Sequence, residues 1–285
     1  MDEVFTLTQA EKGSSLPIMY QKNYSVTQAN ELVRSRQDDL SLLEAKLIRL
    51  VIAQVVKEDT DLKTYTCKAS QLAEFLGISR QAVNKARGKA EVEIGNKDSS
   101  ETVSDLEAFC KNLMRKTIHI RRKGSKGKSS FKMFQWVSSA DYEDGVITIK
   151  LHDDLKPYLL GLNELFTSYG YEEILKLHTY YAIRLFELLY SYSSMAAQNE
   201  DSEVVIEIEA LREYFNCIDK YPQTGDFIKR VIKTAKEDIV NNTNLPCEYF
   251  PIKERNRITK IRFVVGEWNS EAGRRIIKRL RSCPA

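Results

Sequence analysis

Apolar positions in two long segments of the chain follow a helical spacing. The first segment, Leu42–Val56, is apolar over most of its circumference, which is typical of a helix in the core. The second runs from Tyr171 to about Met195 with apolar residues at similar spacing. Asp38-Asp39-Leu40-Ser41 supplies an N-cap before the first segment, and a shorter helical pattern, Val26–Arg36, precedes it. We therefore predict two core helices.

A helix–turn–helix pattern follows the first core helix, at Lys68–Arg87. Apolar residues give its first helix one buried face, Gly77 can take the left-handed conformation that ends a helix, and Ser79 can cap the next helix. In such a motif the start of the second helix reaches base edges in the major groove. An ordinary corner between two core helices is the alternative interpretation. The residues predicted to face DNA here are Ser79, Arg80, Gln81, Asn84 and Lys85.

A basic β-hairpin is predicted next, from Thr117 to Trp136, and a further strand, Val146–Leu151, comes after it. A hairpin behind a helix–turn–helix is the wing of a winged helix. The stretch Lys111–Lys132 contains nine Lys or Arg and no Asp or Glu, which favours phosphate contacts over a merely solvated hairpin tip. The predicted wing contacts are Arg121, Arg122, Lys123, Lys126 and Lys128.

The second half of the chain repeats the order of the first: core helix, strand, short helix, turn, exposed helix and hairpin. Ile48-Arg49-Leu50 corresponds to Ile183-Arg184-Leu185, at an offset of 135 residues. The short helix that ends at Gly77 corresponds to one that ends at Asn216, at an offset of 139. Gly and Asn are the residues that best tolerate the left-handed conformation. We therefore predict an α+β fold of two tandem winged-helix domains related by internal duplication.

Positive charge is concentrated late in the chain. The exposed helix of the second domain is predicted at Thr224–Asn242 and its hairpin at Leu245–Val265, and Asp226–Arg281 contains fourteen basic and seven acidic residues. The predicted DNA contacts of this domain are Thr224, Lys229, Arg230, Lys233, Lys236, Lys253, Arg255 and Arg257. The predicted divisions of the chain are a flexible arm at 1–23, winged-helix domains at 24–155 and 156–268, and a basic C-terminal helix at 269–285.

Composition places the chain among soluble globular proteins. It is 42% hydrophobic and 29% charged with a net charge of +3, so a nucleic-acid surface has to come from local clustering of charge. The five cysteines and three histidines are dispersed without the spacing of a zinc site, and we expect reduced thiols in a cytoplasmic protein. No apolar run approaches the ~20 residues of a membrane span, and we expect no signal peptide and no association with a membrane.

Two enzymatic alternatives lack the residues that they need. A rolling-circle initiator that nicks DNA requires a His-x-His metal pair and a catalytic tyrosine, and no two histidines here are two positions apart. The stretch Gly124–Ser129 contains Gly-Lys-Ser without the spacing of a nucleotide-binding P-loop, and we interpret it as a wing tip. We therefore expect no catalytic residues, no bound metal, no cofactor and no enzymatic activity.

Four segments together resemble the plasmid replication initiator (Rep) proteins of iteron-containing, theta-replicating plasmids, over roughly residues 24–266. The most specific are the junction, Asp154-Leu155-x-Pro157-Tyr158-Leu159-x-x-Leu162 with Phe166-Thr167-x-Tyr169, and YYAIRLFELL at Tyr180–Leu189 on the second core helix. The other two are Ala29-Asn30-x-Leu32 with Leu40-Ser41-x-x-Glu44-x-x-Leu47-Ile48, and Phe227-x-x-Arg230-Val231-Ile232-x-x-Ala235-x-x-Asp238-Ile239.

The resemblance implies that monomers bind directly repeated iterons in the double-stranded DNA of an origin. It also implies that origin opening and recruitment of the host replication initiator and helicase follow. A homodimer formed through the first domain would repress the protein's own promoter. The second domain would make the main contacts in the groove and the first domain auxiliary ones. A tandem winged-helix transcriptional regulator (autorepressor) is the alternative function, and a protein-interaction module that does not bind DNA is a third.

Overall fold

The protein is described from a computed structural model, which gives the structure of residues 15–17, 24–68, 105–123, 129–143, 146–196 and 203–265. The helices are α1 (Asn30–Val33), α2 (Leu42–Ile52), α3 (Asp105–Met114), α4 (Lys156–Leu159), α5 (Tyr171–Leu175), α6 (Tyr180–Ala196), α7 (Ile208–Tyr214), α8 (Thr224–Phe227) and α9 (Thr234–Asn242). The strands are β1 (Ser15–Pro17), β2 (Ser25–Ala29), β3 (Arg36–Gln37), β4 (Thr64–Lys68), β5 (Thr117–Lys123), β6 (Ser129–Gln135), β7 (Val137–Glu143), β8 (Val146–Leu151), β9 (Phe166–Gly170), β10 (Glu203–Glu207), β11 (Cys247–Glu254) and β12 (Arg257–Val265). A 3₁₀ turn at Asp153–Leu155 precedes α4, and a π-helical segment at Ile228–Lys233 joins α8 to α9.

Helix α2 is the predicted first core helix and begins at a capping box. The Ser41 hydroxyl accepts a hydrogen bond from the Glu44 amide at 3.2 Å, and the Glu44 carboxylate accepts one from the Ser41 amide at 2.7 Å. These bonds satisfy amides that the first turn of a helix otherwise leaves without partners. Every residue from Glu44 to Ile52 except Lys46 is buried, which confirms the prediction of a core helix.

Apart from β2, the described strands of the first half form two sheets. One has the order β3–β5–β6, and the other has the order β1–β4–β8–β7. The basic hairpin predicted from Thr117 is confirmed as β5–β6. The sequence does not predict β7, because this edge strand buries only Val137 and so lacks the alternation of a half-buried strand.

Strand β2 corrects the helix predicted at Val26–Arg36. Residues Ser25–Ala29 pair antiparallel with β9, and only Asn30–Val33 are helical. Val26 and Gln28 are buried while their neighbours are not, which is the alternation of a strand. The prediction was wrong because the pairing partner lies about 140 residues further along the chain, where a local pattern cannot reveal it.

Helices α5 and α6 replace the single long helix predicted from Tyr171, which was also wrong. At the break, the Asp238 carboxylate accepts hydrogen bonds from the amides of His178 at 2.8 Å and Thr179 at 3.2 Å. The Thr179 hydroxyl accepts another from the Ala182 amide at 3.0 Å. The Thr179 side chain thus caps α6, and a carboxylate from a distant helix holds the two residues before it. No Gly or Pro at 176–179 marks the break in the sequence.

The second half forms the predicted short helix, exposed helix and hairpin. Asn216, just beyond α7, has a φ of 51°, the left-handed conformation predicted for it. Helix α8, the π-helical segment and α9 follow one another without interruption, and we call this run the 224–242 helix. Strands β11 and β12 are the predicted hairpin, and β12 pairs with β10 on its other side.

A single buried core joins the two halves. Its apolar residues extend from Val26 to Val265 and come from α2, α6, α7 and the strands around them. Strands β2 and β9 pair across the predicted boundary at 155/156, and Lys46 on α2 donates a hydrogen bond to the Leu175 carbonyl at 2.8 Å. That boundary stays a prediction.

Several predicted features lie outside the described residues. They are the first helix–turn–helix with Ser79, Arg80, Gln81, Asn84 and Lys85, the wing-tip residues Lys126 and Lys128, and the C-terminal helix at 269–285. Of the predicted arm at 1–23, residues 15–17 form β1, which pairs in parallel with β4.

Replacing Ser41 with alanine is expected to lower the free energy of unfolding by about 1 kcal/mol, because the Glu44 amide loses its acceptor. Ser41→Asp should retain most of the stability, since an aspartate also caps a helix. Urea unfolding of the full chain measures both variants. An equal loss in the two would show that the cap is not the cause.

Candidate nucleic-acid interface

The 224–242 helix has one buried side and one charged side. Apolar side chains fix the buried side against the core, and they are Phe227, Val231, Ile232, Ala235 and Ile239. The opposite side exposes Lys229, Arg230 and Lys233. The exposure predicted for Lys229 and Arg230 is thereby confirmed, because the apolar spacing leaves them no position in the core.

The π-helical segment lies where the cations are. It spans Ile228–Lys233, and the Thr234 hydroxyl donates a hydrogen bond to the Lys229 carbonyl, five residues back, at 3.2 Å. A π-helical turn changes the rotation between successive residues, and such turns are frequent at functional sites. Lys229, Arg230 and Lys233 therefore leave the helix in a cluster that a regular α-helical turn would space differently.

The cations of this surface differ in their partners. Lys236 lies 2.9 Å from the Glu248 carboxylate on β11, and Lys233 is 3.8 Å from Glu237 on its own helix. Arg230 lies over the ring of Tyr221, with its guanidinium carbon 5.9 Å from the centroid. Among the described residues, Lys229 and Arg230 form no ion pair, so their charge is available to an anion from solvent.

The β11–β12 hairpin stands beside the helix as a second cationic element. Its tip is Arg255-Asn256, where φ is 48° and 66°, and a two-residue loop with positive φ at both positions matches the twist of hairpin strands. Lys253, Arg255 and Arg257 are exposed around this tip. The predicted turn is confirmed. Three cations surround it, and the hairpin follows the 224–242 helix along the chain.

A groove of about 460 Å³ separates the helix from the hairpin. Apolar side chains of Ile228, Pro251 and Ile258 contribute to its lining. The charged residues that line it are Lys229, Lys233, Lys236, Glu237 and Glu248. The groove therefore places the cations of the helix next to the strands of the hairpin. A polyanion on this face would meet both elements at once.

The turn between α7 and the 224–242 helix is organised by Arg212, which the sequence does not single out. Its guanidinium donates hydrogen bonds to the carbonyls of Cys217 at 3.3 Å, Lys220 at 2.9 Å and Tyr221 at 2.8 Å. It also lies over the Phe227 ring at 4.8 Å. Arg212 thus fixes the angle at which the 224–242 helix leaves the turn. In the sequence, the signal for this role is an arginine within an apolar helical pattern.

The first wing is anchored at its base. Arg121 lies 2.7 Å from the Glu213 carboxylate on α7, and Arg122 lies 2.6 Å from Glu31, a hydrogen bond that raises the pKa of Arg122. Arg122 also donates to the Tyr158 hydroxyl at 2.9 Å. Both arginine side chains are more than half exposed despite these partners. The backbone of Lys123 pairs with Ser129 where the two strands approach the tip.

The structure therefore brings part of the predicted set together. Lys229, Arg230 and Lys233 share one helix face, and the cations at 253–257 surround the adjacent hairpin tip. Thr224 lies at the start of the same helix, partly buried. Lys236 is on this helix but bound to Glu248, and Arg121 and Arg122 belong to the separate first wing. The roles of all these residues in DNA binding stay predictions.

Comparison with known proteins identifies the family. The family model described as "Initiator Replication protein, WH1" matches residues 25–190, and the model described as "Initiator Rep protein, WH2" matches residues 207–265. The first match alone covers more than half of the chain. The chain belongs to the replication initiator (Rep) family. The two matches are its two winged-helix domains.

One solved structure with a TM-score above 0.5 has a similar fold. The chain is similar to the Pi initiator protein, crystallised in complex with iteron DNA, with a TM-score of 0.60 and 16% identity over 87% of this chain and 99% of that one. It also matches the WH1 domain of MSBI1.176, a replication protein isolated from a multiple sclerosis patient, with 20% identity over 42% of this chain and 79% of that one, at a TM-score of 0.28.

These findings confirm three predictions from the sequence. The chain is a Rep protein, its fold is α+β with two winged-helix domains, and its function is that of a replication initiator. The alternative of a transcriptional regulator is not favoured. Within the described ranges, no helix combines the length and the apolar character needed to cross a bilayer.

Replacing Glu248 with glutamine is expected to release Lys236 and to raise affinity for duplex DNA two- to fivefold. One additional phosphate contact should also steepen the dependence of log K on log salt by about 0.9. Fluorescence anisotropy over a salt series measures both quantities. Glu143→Gln, on the exposed part of β7, is the matched control for the loss of one negative charge. Equal effects in the two variants would contradict a local release of Lys236.

Proposed function

We propose that this chain initiates plasmid replication by binding directly repeated iterons in the double-stranded DNA of the origin. The 224–242 helix enters a major groove, and the β11–β12 hairpin contacts the adjacent backbone. The observation that carries the proposal is the exposed cluster of Lys229 and Arg230, beside a hairpin tip with three further cations. The Pi initiator protein, whose fold is similar, is known in complex with iteron DNA.

The first domain supplies the auxiliary contacts in this proposal. A second recognition helix on the same polypeptide can occupy a neighbouring major groove, roughly 34 Å along the duplex. One chain then reads a long site that is not palindromic. Arg121 and Arg122 of the first wing add phosphate contacts, which position the protein without reading bases.

The proposal extends to the later steps of initiation that the resemblance implies. Bound monomers open the adjacent duplex and recruit the host initiator and helicase, and a homodimer formed through the first domain represses the promoter. The protein acts by binding, without catalysis of its own, in the cytoplasm where the plasmid lies. A plasmid whose only origin is this gene with its adjacent repeats should be maintained after transformation. A footprint confined to one palindromic operator would exclude the initiator.

Replacing Lys229 and Arg230 together with alanine is expected to abolish sequence-specific binding while the fold is retained. Both side chains are exposed, so their removal leaves no cavity in the core. A mobility-shift assay with specific and scrambled duplexes measures the loss, which should be at least 100-fold for the specific duplex. Lys57→Ala with Lys176→Ala removes the same charge from exposed positions outside the predicted contacts and is the matched control. Unchanged affinity in the Lys229/Arg230 variant would refute this assignment.

Replacing Arg121, Arg122 and Lys123 with glutamine is expected to weaken binding to all sequences alike and to reduce the salt slope by about 2 to 3. Because two of these arginines also form ion pairs, Glu213→Gln with Glu31→Gln is the control that breaks the same pairs and keeps the cations. The control should bind with unchanged or higher affinity. If discrimination at a single base position were lost instead, the wing would be a reader of bases.

A further inference from the structure

Six polar side chains meet in the interior between the two core helices. We call them the Glu187 cluster, and they are Gln28, Gln37, Arg49, Tyr169, Arg184 and Glu187. Each is at least nine-tenths buried, and Arg49, Arg184 and Glu187 are completely inaccessible. Buried ionisable groups are rare unless they are paired, so a cluster of three is a feature that the fold maintains.

The Glu187 carboxylate is the centre of this cluster. It accepts two hydrogen bonds from Arg49, at 3.0 and 2.8 Å, which form a bidentate pair. Arg184 approaches it at 3.4 Å, the Tyr169 hydroxyl donates at 2.5 Å, and Gln28 donates at 3.2 Å. A bidentate pair between a planar guanidinium and a carboxylate has one favoured geometry, whereas apolar contacts tolerate sliding.

The two arginines are equivalent residues of the internal repeat. Arg49 is the central residue of Ile48–Leu50 on α2, and Arg184 is the central residue of Ile183–Leu185 on α6. Both point at the same carboxylate, so the Glu187 cluster is the place where the two halves of the duplication meet. It fixes α2 and α6 relative to each other at their buried centres.

The cluster also reaches toward each DNA-binding surface. The Arg49 guanidinium lies 5.2 Å from the ring of Trp136, which directly follows the β5–β6 wing. The Arg184 guanidinium lies 4.1 Å from the ring of Tyr214 on α7, and the Tyr214 hydroxyl donates to the Arg184 carbonyl at 2.8 Å. One buried path therefore runs from the foot of the first wing to the helix that precedes the 224–242 helix.

We infer that the Glu187 cluster fixes the distance and rotation between the two DNA-binding surfaces, and thereby sets the spacing of the two duplex segments that one monomer accepts. Arg49, Arg184 and Glu187 are positioning residues in this inference, since they are buried away from any DNA. The inference rests on the proposed function. When two binding modules are held rigidly, the second binds as if at high local concentration only if the site has the matching span.

The contacts between the halves at the surface provide a contrast. Lys220 forms an ion pair with Asp39, and the Arg36 guanidinium donates to Asn216 at 2.8 Å. The Lys220–Asp39 pair is about two-fifths exposed, and exposed ion pairs contribute little. We therefore expect Asp39→Asn to leave the spacing requirement unchanged, which makes it the matched control for a contact across the same interface.

The test uses the full chain and duplexes that it selects from a random-sequence library. Footprinting defines two protected segments in the selected duplex. One set of derivative duplexes carries one or two base pairs inserted between these segments. A further derivative, the single-segment duplex, retains only the segment bound by the second domain. The unsubstituted chain is expected to lose about 100-fold in affinity on insertion. Glu187→Gln and Arg49→Lys should lose only about threefold on insertion. Both variants should bind the single-segment duplex within about twofold of the unsubstituted chain.

Arg49→Lys keeps the charge and removes the bidentate geometry. If Glu187→Gln does not fold, the insertion penalty of Arg49→Lys is the deciding measurement. An insertion penalty in the folded variant equal to that of the unsubstituted chain would overturn the inference. So would equal losses on the selected duplex and the single-segment duplex, which indicate a role in stability alone. An unsubstituted chain that protects only one segment would overturn the proposed function together with this inference, whereas an unchanged insertion penalty overturns this inference alone.

Discussion

The bidentate pair of Arg49 and Glu187 is the constraint on which the arrangement of this protein depends. Both side chains are fully buried, and each charge loses its hydration there. The Arg49 guanidinium opposes the effect of burial and lowers the pKa of Glu187 to about 2, so the carboxylate stays ionised near neutral pH. Removing one partner from such a pair destabilises a protein by about 3–5 kcal/mol. Helices α2 and α6 are therefore held at one relative position, and the elements packed on them follow.

The packing of apolar residues around this buried pair determines where the cations of the 224–242 helix lie, and no interaction among the cations is needed. Phe227, Val231 and Ile232 are buried on one side of the 224–242 helix, so Lys229 and Arg230 have to lie on the other. The direction of that helix depends on the turn before it, where one buried guanidinium collects three carbonyls. The cationic face of this helix is thus a consequence of the burial of its apolar residues.

Sequence periodicity predicts those features whose causes are local. The core position of α2, the left-handed turn at Asn216 and the β11–β12 hairpin depend on residues within one or two turns, and all three are found. Strand β2 depends on a partner far along the chain, which no local pattern contains, and at the break before α6 the distant Asp238 acts together with the local cap Thr179. For the site, exposure of Lys229 was predictable, whereas the carboxylate that binds Lys236 was not.

Burial then separates the arginines into two groups that the sequence does not distinguish. Arg49 and Arg184 occupy equivalent positions of the repeat and are completely buried, so no phosphate can reach them. Arg121 and Arg122 are also paired with carboxylates, yet they are more than half exposed, and such pairs contribute only about 0–1 kcal/mol. A phosphate can therefore replace Glu213 or Glu31 as the partner. An arginine–carboxylate pair is thus structural in the core and exchangeable at the surface. This difference in hydration determines which of these arginines a phosphate can reach.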